Sequence, residues 1–209
     1  MSKPAPAPTA ARGAGPYHHG NLRTALLEAA RAIVAEAGVE GLTLRACARR
    51  AGVSHAAPNH HFGSLAGLLA EFAADGYERL AAAMDMDAAA ADPLHDPLRA
   101  AGIGYVRFAM ANPEHFRVMS RSELLDDKSM RLRTTSSAVK RRLRDALLAA
   151  YTQAHGREPG KTLLAARSTL AWCCVHGYAS LWVEGGLRAP DTPSVDAVLA
   201  ELRPALVAP

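Results

Sequence analysis

One segment, Thr43 to Phe62 (TLRACARRAGVSHAAPNHHF), constrains the fold more than any other part of the sequence. Thr43 is a good N-cap for a short helix, and Gly52 can adopt the left-handed conformation that ends it. Ser54 can cap a second short helix that reaches about Phe62, with Val53 wedged between the two. Two short helices that meet at a glycine turn indicate a helix-turn-helix, whose second helix lies in the major groove of DNA. An ordinary helical hairpin explains these spacings less well.

The rest of the sequence favours helices and shows little sign of strands. Alanine is abundant, and long alternations of Val, Ile and Thr are absent. Apolar residues recur every three or four positions from about Asn21, a possible N-cap, to Ala37, and Gly38 should end this helix. The sequence therefore predicts an all-α fold of about nine helices. Beyond the motif, we expect helices from Ser64 to about Ala91, Asp96 to Asn112, Pro113 to about Ser122, about Asp127 to Ala154, about Thr162 to Glu184, and Ser194 to about Val207.

Charge, cysteine content and histidine spacing narrow the possible functions. A net charge of +4 permits nucleic-acid binding without requiring it. The three cysteines (Cys47, Cys173 and Cys174) lack the spacing of a disulfide framework and favour reduced thiols. We expect a cytoplasmic protein with no membrane association, because the sequence has neither a signal peptide nor a membrane-spanning stretch. The adjacent His60 and His61 would point about 100° apart on a helix, so no metal and no cofactor is expected.

Three stretches resemble a known family. YHHGNLR (Tyr17 to Arg23), GVEGLTLRACARRAGVS (Gly38 to Ser54) and HFGSLAGLLAEF (His61 to Phe72) are similar to the DNA-binding domain of the TetR/AcrR transcriptional regulators. The resemblance implies a three-helix, helix-turn-helix domain over residues 17–80. Residues 1–16 are expected to form a disordered tail because they are rich in Pro, Ala and Gly. Residues 81–209 are expected to form a helical bundle that binds a ligand and dimerises.

The resemblance implies which residues contact DNA. In this family the helix that begins near Ser54 lies in the major groove, and the matching positions are Thr43, Arg45, Ser54, His55, Ala56, Ala57, Asn59 and His61. Thr43 should bond a phosphate, Arg45 should reach the backbone or a base edge, and His61 should lie near a phosphate. Asn59 can pair bidentately with adenine, and the methyl group of Ala57 can meet a thymine methyl group.

Several positions of the motif differ from common relatives. Ala57, Pro58 and Asn59 stand where relatives often have Thr, Leu and Tyr, and Leu65 stands where they often have Lys. Because that Tyr and Lys commonly contact phosphates, non-specific affinity for DNA should be modest. The recognition helix contains no Lys or Arg, which excludes arginine readout of guanine from this helix. Pro58 predicts a recognition helix that starts tight or slightly kinked.

Two later stretches resemble one C-terminal subclass of the same family. They are DPLRAAGIGYVRFAMANPEHFRVMS (residues 96–120) and AWCCVHGYASLWVEG (residues 171–185), and the Trp–His–Gly signature of the subclass matches Trp172, His176 and Gly177. Trp172 and His176 share a helix face. Together they could line a ligand pocket with five bulky apolar residues, Tyr105, Phe108, Met110, Phe116 and Met119. A core histidine bonded to a neighbour is the alternative interpretation of His176.

The last two helices predict a dimer interface. Small residues on one side of the helix near 162–184 suit close packing, and the last helix, near 194–207, is apolar; the residues expected at the interface are Cys173, Gly177, Ser180, Val195, Val198, Leu199, Leu202 and Leu206. In the family these two helices pair with their copies as a four-helix bundle. The basic run Lys140, Arg141, Arg142 and Arg144 predicts a solvated helix face.

These features predict a regulator and not an enzyme: a repressor that binds a palindromic DNA operator as a homodimer and responds to an unknown small-molecule effector. Two alternatives remain. A family member with weakened DNA binding could act through protein contacts, because the usual Tyr and Lys are replaced. A Cys/His enzyme could use Cys173 or Cys174 with His176 as its base, although no orienting group or oxyanion loop is apparent.

Overall fold

The computed structural model describes residues 19–90, 96–187 and 189–209. Within these ranges the chain forms nine α-helices and no β-strand, so the all-α prediction is confirmed. The helices are α1 (His19–Ala37), α2 (Leu44–Ala51), α3 (Ala57–Phe62), α4 (Leu65–Ala90), α5 (Pro97–Ala111), α6 (Pro113–Met119), α7 (Met130–His155), α8 (Lys161–Val183) and α9 (Val195–Val207). The predicted tail of residues 1–16, together with Tyr17 and His18, lies outside the described residues.

Local capping signals set many of the helix boundaries. Thr43, Asp96 and Ser194 each accept a backbone N–H through the side chain, at 3.0, 3.0 and 3.2 Å, before α2, α5 and α9. Gly52 ends α2 with φ 67° and ψ 31°, and Gly156 ends α7 with φ 65° and ψ 10°. Glycine adopts this left-handed conformation without the steric cost that a Cβ would bring. The sequence predicted Thr43 and Gly52 as the cap and the end of α2, and Asp96 and Ser194 as the starts of the helices that become α5 and α9.

Two predicted caps are wrong. Asn21 lies inside α1 and is therefore not its N-cap. α3 begins at Ala57, and the residue before it, Ala56, makes no capping hydrogen bond through its side chain. Pro58 is the physical reason. A helix capped at Ser54 would need the N–H of residue 58 to bond the Ser54 carbonyl, and proline has no N–H. The recognition helix therefore starts later instead of bending.

The first four helices share one apolar cluster. Its buried members include Leu26 and Ala30 of α1, Cys47 of α2, and Leu68 and Phe72 of α4. Val53, at the turn between α2 and α3, is half-buried against this cluster. α4 then continues into the C-terminal bundle, where it packs most extensively on α5 and α7. The same helix thus belongs to both ends of the molecule.

The short helix α6 connects the bundle to the helix-turn-helix end. It contacts α1, α4 and α5. Gly76 of α4 allows the close approach, because a Cβ at that position would lie 2.6 Å from the sulfur of Met119 and 3.2 Å from the Cβ of His115. α5 completes the bundle by packing on α7, α8 and α9.

Candidate DNA interface and ligand cavity

The helix-turn-helix presents most of its predicted DNA contacts to solvent. Thr43, Arg45, Ser54, His55, Ala56, Asn59 and His61 are exposed, and Ala57 is half-buried. The Oγ1 atom of Thr43 accepts the N–H of Ala46, which leaves its O–H free to donate to a phosphate. Ser54, His55 and Ala56 precede α3 and belong to the turn rather than to the recognition helix. The face that could meet DNA is therefore part helix and part turn.

The departures from common relatives have structural consequences. Pro58 is buried in the first turn of α3, where its missing N–H costs no hydrogen bond. Leu65 opens α4 and packs, half-buried, against the apolar cluster. Asn59 remains exposed on α3. Its amide can therefore reach a base edge.

A second candidate site is a cavity of about 510 Å³ that is lined by α4, α5, α6, α7 and α8 and opens to solvent. This volume lies within the range of about 300–1,000 Å³ that small-molecule sites occupy. Most of the lining is apolar or aromatic, with a minority of hydroxyl groups. The lining residues are Tyr77, Tyr105, Phe116, Met119, Ser120, Ser122, Ser136, Val139, Lys140, Leu143, Ser168, Thr169, Trp172 and His176.

His176 is the polar centre of the cavity. The hydroxyl of Tyr105 forms a hydrogen bond with Nδ1 of His176 at 3.0 Å. The rings of Phe116 and Trp172 lie 5.3 and 5.8 Å from the His176 ring, centroid to centroid. Burial lowers the pKa of His176 and raises the pKa of Tyr105, so both side chains are neutral near pH 7. His176 is thus bonded to a neighbour and also lines the cavity, which combines the two interpretations of the sequence.

The structure brings together five of the seven residues predicted to bind a ligand, namely Tyr105, Phe116, Met119, Trp172 and His176. Phe108 is buried but does not line the cavity, and Met110 is 39% exposed on α5. α5 is apolar on several faces, so apolar character alone did not reveal which face turns toward the cavity.

Sequence reasoning missed Tyr77 and the hydroxyl side chains of the lining, and it did not anticipate that Lys140 borders the cavity. Lys140 is exposed, as the basic run predicts, but its ammonium also lies 5.5 Å from the centroid of the Trp172 ring and lines the cavity. A signal was present in the spacing. Ser136 and Lys140 on α7, like Ser168 and Trp172 on α8, are four residues apart and share a helix face.

The opposite side of α6 packs against the helix-turn-helix end. The ring of His115 is buried and stacks on Phe72 of α4 at 4.2 Å between centroids, with an interplanar angle of 9°. Its Nε2 lies 3.2 Å from Oδ2 of Asp75. The hydrogen bond with His115, supported by Arg79, lowers the pKa of Asp75 to about 2. One short helix therefore touches both the cavity, through Phe116 and Met119, and the helix that leads to the DNA-binding end.

Two of the three cysteines, Cys47 and Cys174, are poorly suited to act as nucleophiles. Cys47 is buried, and burial raises the pKa of its thiol to about 11. Burial also raises the pKa of Cys174, which disfavours the reactive thiolate. In the ranges that the structure covers, no group of three or more His, Cys, Asp and Glu side chains could hold a metal ion. No helix of those ranges is long and apolar enough to cross a membrane.

Comparisons with known proteins agree with this architecture. The family model described as "Bacterial regulatory proteins, tetR family" matches residues 26–72, and the one described as "Tetracyclin repressor-like, C-terminal domain" matches residues 98–203. No curated protein sequence matches the chain. Assignment to the Trp–His–Gly subclass stays a prediction.

Solved structures share the fold over most of the chain. A protein of unknown function from Rhodococcus sp. RHA1 is 32% identical with a TM-score of 0.73, and the alignment covers 92% of this chain and 96% of that one. The TetR family regulator PfmR from Thermus thermophilus is 23% identical with a TM-score of 0.62, covering 87% and 96%. The fatty acid degradation regulator FadR from Bacillus halodurans is 13% identical with a TM-score of 0.68, covering 91% and 97%. The chain belongs to the TetR family and is a DNA-binding transcriptional regulator.

Proposed function

We propose that this regulator is a repressor that binds a palindromic operator as a homodimer and releases it when a small molecule occupies the cavity. Residues 17–80 would bind DNA, and residues 81–209 would bind the effector and dimerise. The observation that carries the proposal is the position of α6. Phe116 and Met119 of this helix line the cavity, while His115 of the same helix stacks on Phe72 of α4.

A ligand in the cavity can therefore act on α4 through direct contacts. If the ligand fits better when α6 has moved, the population shifts toward that arrangement by the difference in binding free energy between the two states. Ion pairs strengthen the connection. Arg131 of α7 contacts Glu71 and Glu78 of α4 at 3.0 and 2.7 Å, and Arg121 contacts Glu40 at 2.8 Å. A shift of α4 would change the distance between the two recognition helices of a dimer, which must match half-sites about 34–36 Å apart.

Dimerisation is supported by an exposed apolar stripe on α8. Leu170 and Leu181 are 46% and 50% exposed, Cys173 is exposed, and a Cβ at Gly177 would meet nothing within 4 Å. These four residues recur at helical spacing on one face, opposite the buried Val175. A helix with apolar residues on all sides is normally buried on all sides by other parts of a protein. We propose that a second copy of the chain packs against the exposed face of α8. Leu199 and Leu206 of α9 are buried within their own chain, so α9 would meet the second copy mainly through its other residues.

The test is a mobility shift of the purified protein on the DNA upstream of its own gene, over a series of salt concentrations. We expect saturable binding of one dimer to one palindrome, and the logarithm of the binding constant should fall linearly with the logarithm of salt concentration. Candidate effectors are then screened for release of the DNA. Absence of binding even at low salt would contradict the proposal and favour the alternative of a regulator that acts through protein contacts.

Leu181→Asp should separate the dimer. A carboxylate buried at an apolar interface without a partner is costly, so we expect dimer affinity to fall by at least about tenfold. Light scattering should show the wild type at twice the chain mass of 22.1 kDa and the variant shifted toward one chain. The matched control is Met130→Asp, because Met130 is 66% exposed at the first turn of α7, outside the stripe. A variant that remains as dimeric as the control would reject the stripe as the interface.

A further inference from the structure

The cavity has a single cationic side chain and no acidic one. Lys140 lines it from α7, and no Asp or Glu is among the lining residues. The neighbouring Arg142 and Arg144 are each paired with a carboxylate, of Asp85 and Asp145, both at 2.8 Å. Lys140 forms no such ion pair within the described part of the chain and instead lies over the ring of Trp172. The exposed mouth of the cavity therefore carries a positive charge that no carboxylate of the lining pairs with.

The hydroxyl groups of the lining differ in what they can still offer a ligand. Those of Ser120, Ser136 and Thr169 donate to the backbone carbonyls of Phe116, Arg133 and Ala165, at 2.8, 3.3 and 3.0 Å. The Oγ atom of Ser168 is buried and has no hydrogen-bond partner. A buried hydroxyl without a partner is costly in a folded protein, and its O–H is a donor that lacks an acceptor.

Lys140 and Ser168 each lie beside Trp172. Ser168 precedes Trp172 by one helical turn and lies on the same face of α8, while the ammonium of Lys140 lies 5.5 Å from the centroid of the Trp172 ring. Both Lys140 and Ser168 are donors, and the ligand group that satisfies a cation and a hydroxyl donor at once is an anionic acceptor. This end of the cavity is also the exposed end, because Lys140 and Trp172 are exposed.

The other end of the cavity is apolar and uncharged. Tyr105 and Phe116 are buried there, and Met119 extends the apolar surface. Burial raises the pKa of Tyr77 and Tyr105 and lowers the pKa of His176, so these groups add no charge near neutral pH. The apolar end therefore suits the apolar body of a ligand, and the end near Lys140 suits one anionic group.

We infer that the ligand of this cavity is an amphipathic monocarboxylate, with its carboxylate held by the Lys140 ammonium and the Ser168 hydroxyl and its aliphatic or aromatic body among Tyr105, Phe116 and Met119. The inference rests on the proposed function, because it names the ligand class of the proposed effector site. A cation would be repelled by Lys140, and a neutral ligand would gain no attraction from its charge.

The inference is tested by calorimetric titration of the full-length protein with matched pairs of compounds. The probes are decanoate, phenylbutyrate and pyrenebutyrate, each compared with its own primary amide, so that only the charge changes within a pair. We expect at least one acid to bind at least about tenfold more tightly than its amide, because a charge-assisted hydrogen bond stabilises a complex by about that factor. Lys140→Gln should remove that preference. Arg141→Gln is the control, because it removes the same charge at the next residue, which does not line the cavity.

The possible outcomes separate the two proposals. A preference for the acid that disappears in Lys140→Gln and persists in Arg141→Gln supports the inference. A smaller loss of that preference in Ser168→Ala would support the contact between the carboxylate and the Ser168 hydroxyl. Equal affinity for acid and amide, or an unchanged preference in Lys140→Gln, overturns the carboxylate site. If none of the acids binds, the carboxylate site is also overturned. Acids that bind with the expected pattern but fail to release operator DNA in the same samples would overturn the proposed effector function and leave the carboxylate site intact.

Discussion

Asn59→Ala should weaken binding of the dimer to its operator by about two orders of magnitude. A bidentate contact between an amide side chain and adenine discriminates by about 1–3 kcal/mol, and a dimer makes the contact twice. α3 carries no Lys or Arg, and Asn59 is its exposed amide. Alanine keeps the helix, because the backbone carbonyl of residue 59, and not the side chain, accepts the N–H of Gly63 at 2.8 Å.

The loss should be specific to sequence. Fluorescence anisotropy with the operator, and with an operator whose contacted adenine is replaced in each half-site, should show that Asn59→Ala binds both DNAs equally. His60→Ala is the matched control, since His60 is also exposed but points about 100° away around the helix. Wild-type affinity and wild-type base preference in Asn59→Ala would show that Asn59 does not read the operator.

The parts of the fold that the sequence predicted are those that local chemistry decides. Thr43, Gly52 and Ser194 each act within a few residues, by capping a helix or by ending it. The predicted helix start at Ser54 is wrong because two local effects compete there. A good capping residue indicated a helix start, while Pro58 required the start to lie later, and the steric and hydrogen-bonding demands of proline prevailed.

The cavity was only partly predictable because its lining converges from five helices. Trp172 and His176 share a face of one helix, so their proximity could be inferred from spacing. Lys140 comes from α7 and meets Trp172 of α8 only after the bundle has packed. In sequence it lies in a run of basic residues, most of which do face solvent, so its contact with Trp172 depends on long-range packing. The same limit applies to Met110, whose exposure depends on which face of α5 packs inward.

Gly104→Ala should destabilise the protein by about 3 kcal/mol, although it adds a single methyl group. Gly104 of α5 faces the backbone of α4. A Cβ there would lie 2.8 Å from Cα of Met84, 2.9 Å from the carbonyl oxygen of Ala83 and 3.1 Å from the amide nitrogen of Met84. These are main-chain atoms, so no side chain can rotate to relieve the contact. The two helices must separate along the most extensive helix contact of the fold.

Urea unfolding should show the loss as a lower midpoint for Gly104→Ala. Gly160→Ala is the control, because Gly160 has an ordinary φ of −61° and a Cβ there would meet nothing within 4 Å. Its effect should stay within about 0.5 kcal/mol. An equal midpoint for the two variants would mean that α4 and α5 are not in close contact at Gly104. Since α4 also carries Phe72 against His115, separating it from α5 should disturb the position of the recognition helices. The surviving folded fraction of Gly104→Ala should therefore bind operator DNA more weakly than Gly160→Ala, which connects the packing of the bundle to the function of the helix-turn-helix.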